Sequence, residues 1–304
     1  MKLTKNKLVS LPKIDAHNHL NLGMRYAAYS AWAGFKIPNF PRKFNGLEDM
    51  HTIIAEYTRP RQKTARDVDA LLSMAIDEAI RDGVTVLEGS VDIGFVIQCE
   101  GVDKFLALVC SLKEKYAKKI AFLPELGMGK LFEISKINAW APACLKSGLF
   151  KSIDLYGPEV EDGIESFKGI YELAGKLGIK KKAHVGEFSD AASVRRFVEF
   201  FELDEVQHGI GAVVDDSALQ FLRDKNIRCN VCPESNVALS AVSSLAEHPV
   251  KRLIEAGVRV SIGTDDVLFF DRSVSEQCWD LIEAGTLTGA QIASVLESNI
   301  SEYS

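Results

Sequence analysis

The 304-residue sequence has no apolar run approaching the ~20 residues that cross a bilayer. Its N-terminus, MKLTKNKLVSLPK, is basic but lacks the apolar core of a signal peptide. A cytoplasmic protein without a membrane partner is therefore expected. Positive charge is also short: 36 Lys and Arg against 42 Asp and Glu leave a net charge of −6. That balance argues against nucleic acid as the main partner, because a phosphate backbone is bound by basic surfaces that release its counterions. Small neutral or cationic ligands remain open. A disulfide framework is missing too, since Cys99, Cys110, Cys144, Cys229, Cys232 and Cys278 are scattered through apolar segments, as buried reduced thiols are. Cys229-Asn230-Val231-Cys232 has the spacing of a redox or zinc motif. It lies in a strand-like run, where residues three apart face opposite sides, and is read as structural.

No stretch rich in Pro, Gly or Ser divides the chain, and what is present is alternation. β-Rich runs recur at 14–20, 84–91, 119–127, 151–157, 181–187, 205–211, 228–235 and 259–266. Between them lie segments such as 67–83, 103–119, 163–178 and 217–226, with apolar residues at helical spacing and Gly or Asn at the ends. Eight such units in one undivided chain predict an α/β fold, a single TIM-type (β/α)8 barrel spanning residues 1–304. The first unit departs from the rest, because an insertion at about 24–64 carries Tyr26, Tyr29, Trp32, Phe35, Phe40, Phe44 and Tyr57. A long insertion after a barrel strand lies over the catalytic face, and so many large apolar side chains rarely stay solvated together. It is expected to form a lid or the wall of a substrate pocket.

Chemistry in such a barrel sits at the C-terminal ends of the strands. IDAHNHL (14–20) places His17 and His19 two residues apart, on one face of a strand. Such a pair by itself is more often a satisfied core pair than a ligand set. Here, however, the fifth run ends in His184 and Glu187, the sixth in His208, and the eighth in Asp265-Asp266. His51 and His248 fall outside strands and are read as structural. Three histidines and a carboxylate suit zinc or another borderline divalent ion, with a position left for water. Glu187 could move a proton without binding the metal, and Asp266 could orient a substrate.

These motifs resemble those of the adenosine deaminase family of the amidohydrolase superfamily. PKIDAHNHL stands for P-K-x-x-x-H-x-H-L, IDLYGPE for D-L-x-G-x-E, HVGE for H-A-G-E and QHGIG for G-H-G. CPESN stands for C-P-x-S-N, His248-Pro249 for H-P and SIGTDD for S-x-x-T-D-D, in the family's order from residue 12 to 266. The resemblance implies one Zn2+ per chain, bound by His17, His19, His184 and Asp265. It further implies that Glu187 protonates a ring nitrogen and that His208 orients the attacking water. Asp266 would hydrogen-bond another ring nitrogen, and Gly157 would offer its backbone N–H to a purine. Glu187, His208 and Asp265 then form the catalytic set for hydrolytic loss of ammonia from adenosine or a related 6-aminopurine. The H-x-E and P-C-x-x-C signature of cytosine deaminases that act on nucleic acids is absent.

Two departures bear on specificity. The family pattern continues H-x-H-L-[DE]-G, its acid bearing on whether a ribose or a bare base is bound. In HNHLNLG, Asn21 takes that place and Leu22 is inserted before Gly23. After the second run, EGSVDIG stands where E-x-R-x-x-P is usual. Asn21 is therefore a candidate substrate-binding residue, and adenosine, adenine and modified 6-aminopurines all stay open. So do a deaminase of another amino-heterocycle and an amide or ester hydrolase on the same barrel. Against the hydrolase, many such enzymes bridge two metals with a lysine on strand four, whereas Lys151 begins its run rather than ending it. A catalytically silent binding barrel would be expected to lose one of the residues named, and none is lost.

Overall fold

In the computed structural model, which describes residues 3–34, 37–159 and 162–303, the predicted runs become parallel strands. They are β1 (Lys13–His19), β2 (Val84–Asp92), β3 (Ala121–Phe122), β4 (Glu125–Gly129), β5 (Ser152–Tyr156), β6 (Lys180–Val185), β7 (Glu205–His208), β8 (Arg228–Val231) and β9 (Arg259–Ile262). Their order is β1-β2-β4-β5-β6-β7-β8-β9, with β3 paired to β2 alone. The third predicted run is thus two strands. Pro124 has no N–H for a ladder, so pairing with β2 lapses between Leu87↔Phe122 and Ser90↔Glu125 and then resumes.

Eight strands in this order form a nearly closed TIM-like barrel. Its first and last strands meet at the C-terminal rim. There His17 O accepts from the N–H groups of Thr264 (3.1 Å) and Asp265 (2.8 Å), and His19 N–H donates to Asp265 O (3.2 Å). The residues that close the barrel are therefore those singled out for chemistry.

Helices cover the outside for the reason their patterning suggested. The segment 67–83 is realised as a helix from Ala65 to Arg81, begun by a reciprocal capping pair between Thr64 and Asp67. Its Val68, Leu71, Leu72, Ala75 and Ile76 are buried on one face, each large aliphatic contributing about 1.5–3 kcal/mol. Segment 163–178 instead opens with a 3-10 turn at Ile164–Phe167 before the helix Lys168–Lys176. Among the described residues, no helix is long and apolar enough to cross a membrane.

The insertion holds helices at Tyr26–Ala33 and Leu47–Ile53, a π turn at Ile54–Thr58 and a 3-10 turn at Arg59–Arg61. Phe35 lies outside the described residues. Tyr29, Phe44, Met24, Ile37 and Met50 pack with Leu268, Phe269 and Phe270, which follow β9, into a second, smaller core. Phe40 stacks on Phe269 at 4.7 Å between ring centroids, and Phe44 meets it at 6.1 Å. These aromatics fasten the insertion to the rim, where ring quadrupoles favour tilted and edge contacts. The face turned to the cleft is instead Leu47, Met50, His51, Ile54, Arg59 and Gln62.

Around the N-terminal ends of the strands lies a charge network. Lys182 Nζ sits 2.6 Å from Glu88 and 2.8 Å from Glu125. Arg228 reaches Glu205 at 2.8 Å and Glu88 at 3.3 Å, and Lys180 reaches Glu205 at 2.6 Å. Near the C-terminus, Tyr303 donates its hydroxyl to Glu88.

Candidate active site

Strand geometry brings four predicted ligands together. His17 and His19 both turn inward from β1, His184 comes from β6, and Asp265 follows β9, where left-handed backbone (φ 58°) redirects the chain. His17 Nε2 lies 3.0 Å from His184 Nε2, and His19 Nε2 lies 3.3 Å from it. Asp265 Oδ1 is 3.6 Å from His17 Nε2 and 3.4 Å from His19 Nε2. A tetrahedral site with bonds of about 2.0–2.2 Å has ligand atoms about 3.3–3.6 Å apart, so these four fit one ion of zinc's size.

The hydrogen bonds behind the cluster fix which atoms face its centre. His17 Nδ1 donates to Asn230 O (3.0 Å), and His184 Nδ1 donates to Asp154 Oδ1 (3.1 Å). Burial lowers the pKa of His17 and pushes that of His184 well down, so both rings are neutral and present bare Nε2 lone pairs to one another. Two lone pairs at 3.0 Å repel unless a cation lies between them. Ser235 Oγ donates to Asp265 Oδ2 (2.6 Å) and leaves Oδ1 for the ion. His17 also lies near His208 and Cys232. With Nδ1 committed to Asn230, its one free nitrogen cannot serve a second ion. Cys232 is held as a thiol, because burial and then Asp265 push its pKa well up. Cys229 belongs to the outer core, and all six thiols are free, as the structural reading expects.

Glu187 and His208 stand beside the ligands. His208 also takes left-handed backbone (φ 68°), and its Nε2 lies 3.5 Å from Glu187 Oε2 and 4.0 Å from Asp265 Oδ2. Burial, then Asp265 and Glu159, pushes the Glu187 carboxyl well above the usual carboxylate range. Burial and then Asp265 push Asp266 up to about 8, and its Oδ1 has no partner. Both shifts favour the protonated carboxyl, the form that can donate. Asn236 Nδ2 donates to Glu187 Oε1 (2.7 Å) and to His208 Nδ1 (3.1 Å). Glu187 is left with Oε2 for its proton, and His208 with Nε2.

Residues 12–300 match the family model described as adenosine deaminase. The chain belongs to the adenosine deaminase family. A provisionally named adenosine/adenine deaminase of Treponema pallidum (strain Nichols) is 53% identical to it over 288 residues, 94% of this chain and 96% of the relative. An adenine deaminase structure from Arthrobacter aurescens superposes with a TM-score of 0.72 at 19% identity, covering 97% of this chain and 98% of that one. An amidohydrolase from Burkhoderia ambifaria with bound Zn superposes with a TM-score of 0.79 at 19% identity, covering 97% and 87%. These two structures share the fold. Family membership makes the protein an adenosine deaminase-like aminohydrolase.

The remaining predicted residues of this deaminase-like site, Asn21, Gly157, Asp266 and Glu187, line one cleft with His19, His184, His208 and Asp265. Gly157 takes φ +107°, which side chains disfavour, and no described backbone carbonyl accepts its N–H. Leu22 N–H donates to His19 O, so the extra residue closes a tight turn beside Asn21. Lys151 Nζ donates to Gly148 O on the exterior and does not approach the ligands.

Several residues acquire roles that sequence reasoning missed. Asp154 holds His184, and Glu159 accepts from the backbone N–H groups of Gly186, Glu187 and Ser189 (3.0, 2.7 and 2.8 Å), fastening the loop that carries the acid. His248, buried and held down to about 3 by that burial, donates Nε2–H to Asn236 Oδ1 (3.0 Å) and so sets which way that amide points. Asp154, Glu159, Asn236 and His248 all lie inside the quoted motifs, which was their signal. His51 lines the cleft, and nothing in the sequence near it announced that.

Proposed function

We propose that the protein hydrolytically deaminates adenosine or a related 6-aminopurine nucleoside or base, using one Zn2+ per chain and releasing ammonia. The observation that carries this reading is the convergence of three imidazoles and one carboxylate at 3.0–3.6 Å, with the buried Glu187 carboxyl, pushed well above the usual carboxylate range, beside them. His17, His19, His184 and Asp265 would hold the ion. When bound, it supplies a water activated at neutral pH. Glu187 gives its proton to a ring nitrogen, which makes the amino-bearing carbon more electrophilic. His208, its tautomer set by Asn236, orients the attacking water. Asp266 donates to a second ring nitrogen, and Gly157 N–H holds the base from its edge. Asn21 faces the end of the substrate away from the reacting carbon. The whole chain works as one barrel unit, and the insertion at about 24–64 serves as its lid, excluding water from the reacting centre.

The test is ammonia release from metal-replete protein offered adenine, adenosine, modified 6-aminopurines and other amino-heterocycles, with acid release followed for a parallel set of amides and esters. Turnover among the 6-aminopurines is expected. Turnover confined to amides or esters overturns the reading.

A further inference from the structure

The catalytic cleft opens sideways into a second cavity, and His51, Arg59, Gln62, Asp92, Tyr156 and Gly157 line both. Asp92 is satisfied locally, because its carboxylate accepts from Tyr156 Oη (2.5 Å) and from Gly94 N–H (2.6 Å). The three insertion side chains differ. Among the described residues, His51, Arg59 and Gln62 have no side-chain hydrogen-bond or ion-pair partner. Gln62 is only 9% exposed, and its Nε2 is buried and orphaned, a state that costs stability unless something completes it. Arg59 is a permanent cation. On the far wall, Lys130 adds a second cation while its Nζ donates to Pro158 O (2.9 Å). The junction therefore gathers donors and positive charge, whereas the catalytic cleft beside it gathers carboxyl groups. Asn21, on the side of the catalytic cleft, is neutral where the family pattern has an acid, so it does not repel an anion.

Resting on the deamination reading above, we infer that this junction is an anion subsite. It takes a phosphate monoester at the ribose end of the substrate, and the preferred substrate class is the 6-aminopurine nucleoside 5′-monophosphate. A phosphate dianion has the acceptors to engage a guanidinium fork, an amide and an imidazole together. The purine then lies over the ligand cluster, and the ribose spans the shared mouth.

The experiment uses the full zinc-loaded chain and measures kcat/KM for adenine, adenosine and adenosine 5′-monophosphate by ammonia release. The monophosphate is expected to exceed adenosine at least about tenfold, and Arg59→Gln to lower that ratio by about 10- to 100-fold, the scale of a lost charge-assisted hydrogen bond. Gln62→Leu should lower it in the same direction. Calorimetric binding of inosine 5′-monophosphate should weaken in parallel. If adenosine or adenine is the best substrate and Arg59→Gln leaves the ratio unchanged, the subsite is overturned while deamination stands. If inorganic phosphate alone raises turnover of adenosine, the site serves a free anion and the substrate class is wrong. If no 6-aminopurine releases ammonia, the underlying reading fails instead, and binding of the monophosphate still decides the subsite.

Discussion

Around the N-terminal ends of the strands, Glu88, Glu125 and Glu205 meet Lys180, Lys182 and Arg228. Around the C-terminal ends, Asp154, Asp265, Asp266 and Glu187 stand among four histidines, and none of them forms an ion pair with a Lys or Arg of the described residues. Both regions bury charge, and leaving a buried charge unmatched costs several kcal/mol. At the floor the chain supplies its own counterions. At the rim burial favours the uncharged forms of Glu187, Asp266, His17, His184 and His208, and His17, His19 and His184 bring their Nε2 atoms to a common point. The same barrel thus has one end finished by its own side chains and one end whose His17, His19, His184 and Asp265 form a candidate metal site.

Removing a rim ligand tests that contrast most severely. Wild-type protein should carry about one tightly bound divalent ion per chain, and His17→Ala or Asp265→Ala should lose it, with activity falling to background. Metal analysis of the purified protein reads this, and two ions at full occupancy would contradict the mononuclear rim.

At the floor, the matching change is Lys182→Met, which leaves Glu88 and Glu125 without their central cation. It should cost about 3–5 kcal/mol, seen as a lower urea midpoint, while the folded fraction keeps its metal. A cost near zero would show that the floor is not balanced by this lysine. Within the rim, the ligands and the acid should separate. Glu187→Gln is expected to retain the ion and lower kcat by roughly 100-fold or more, and loss of metal in that variant would place Glu187 among the ligands.

The smallest expected effect is at the border of the rim. Unmodified adenosine is expected to be a modest substrate, and one enlarged at the sugar end, or lacking the sugar, a better one. Asn21→Asp should shift the ratio of kcat/KM values toward adenosine by about tenfold without changing metal content, since a carboxylate accepts from a ribose hydroxyl and repels an anion. A static ratio, with adenosine already the best substrate, would reduce Asn21 to a neighbour of the site.

Much of the rim was legible before any coordinates, because a strand has a period of two and a barrel concentrates chemistry where its strands end. That logic reached His17 and His19 as a same-face pair, and His184, His208 and Asp265 as strand-end residues. It could not assign the supports. Asn236 meets Glu187 across 49 residues of sequence, and His51 enters the cleft on an insertion with no periodic signal. The insertion's aromatics were legible as a group too bulky to stay solvated. Their partner was not, because Phe269 comes from the far end of the chain.

The alternation of strands and helices, the inward-facing ligand residues and the family motifs were determined by the sequence itself, since each depends on spacing within a dozen residues. Only the tertiary structure decided the 3.0–3.6 Å ligand separations, the tautomers that bare the Nε2 atoms, the break at Pro124 and the matched floor. All but the break at Pro124 depend on which distant strands lie side by side and in what register. Local propensity specifies which face a side chain takes, while long-range packing specifies what it meets there.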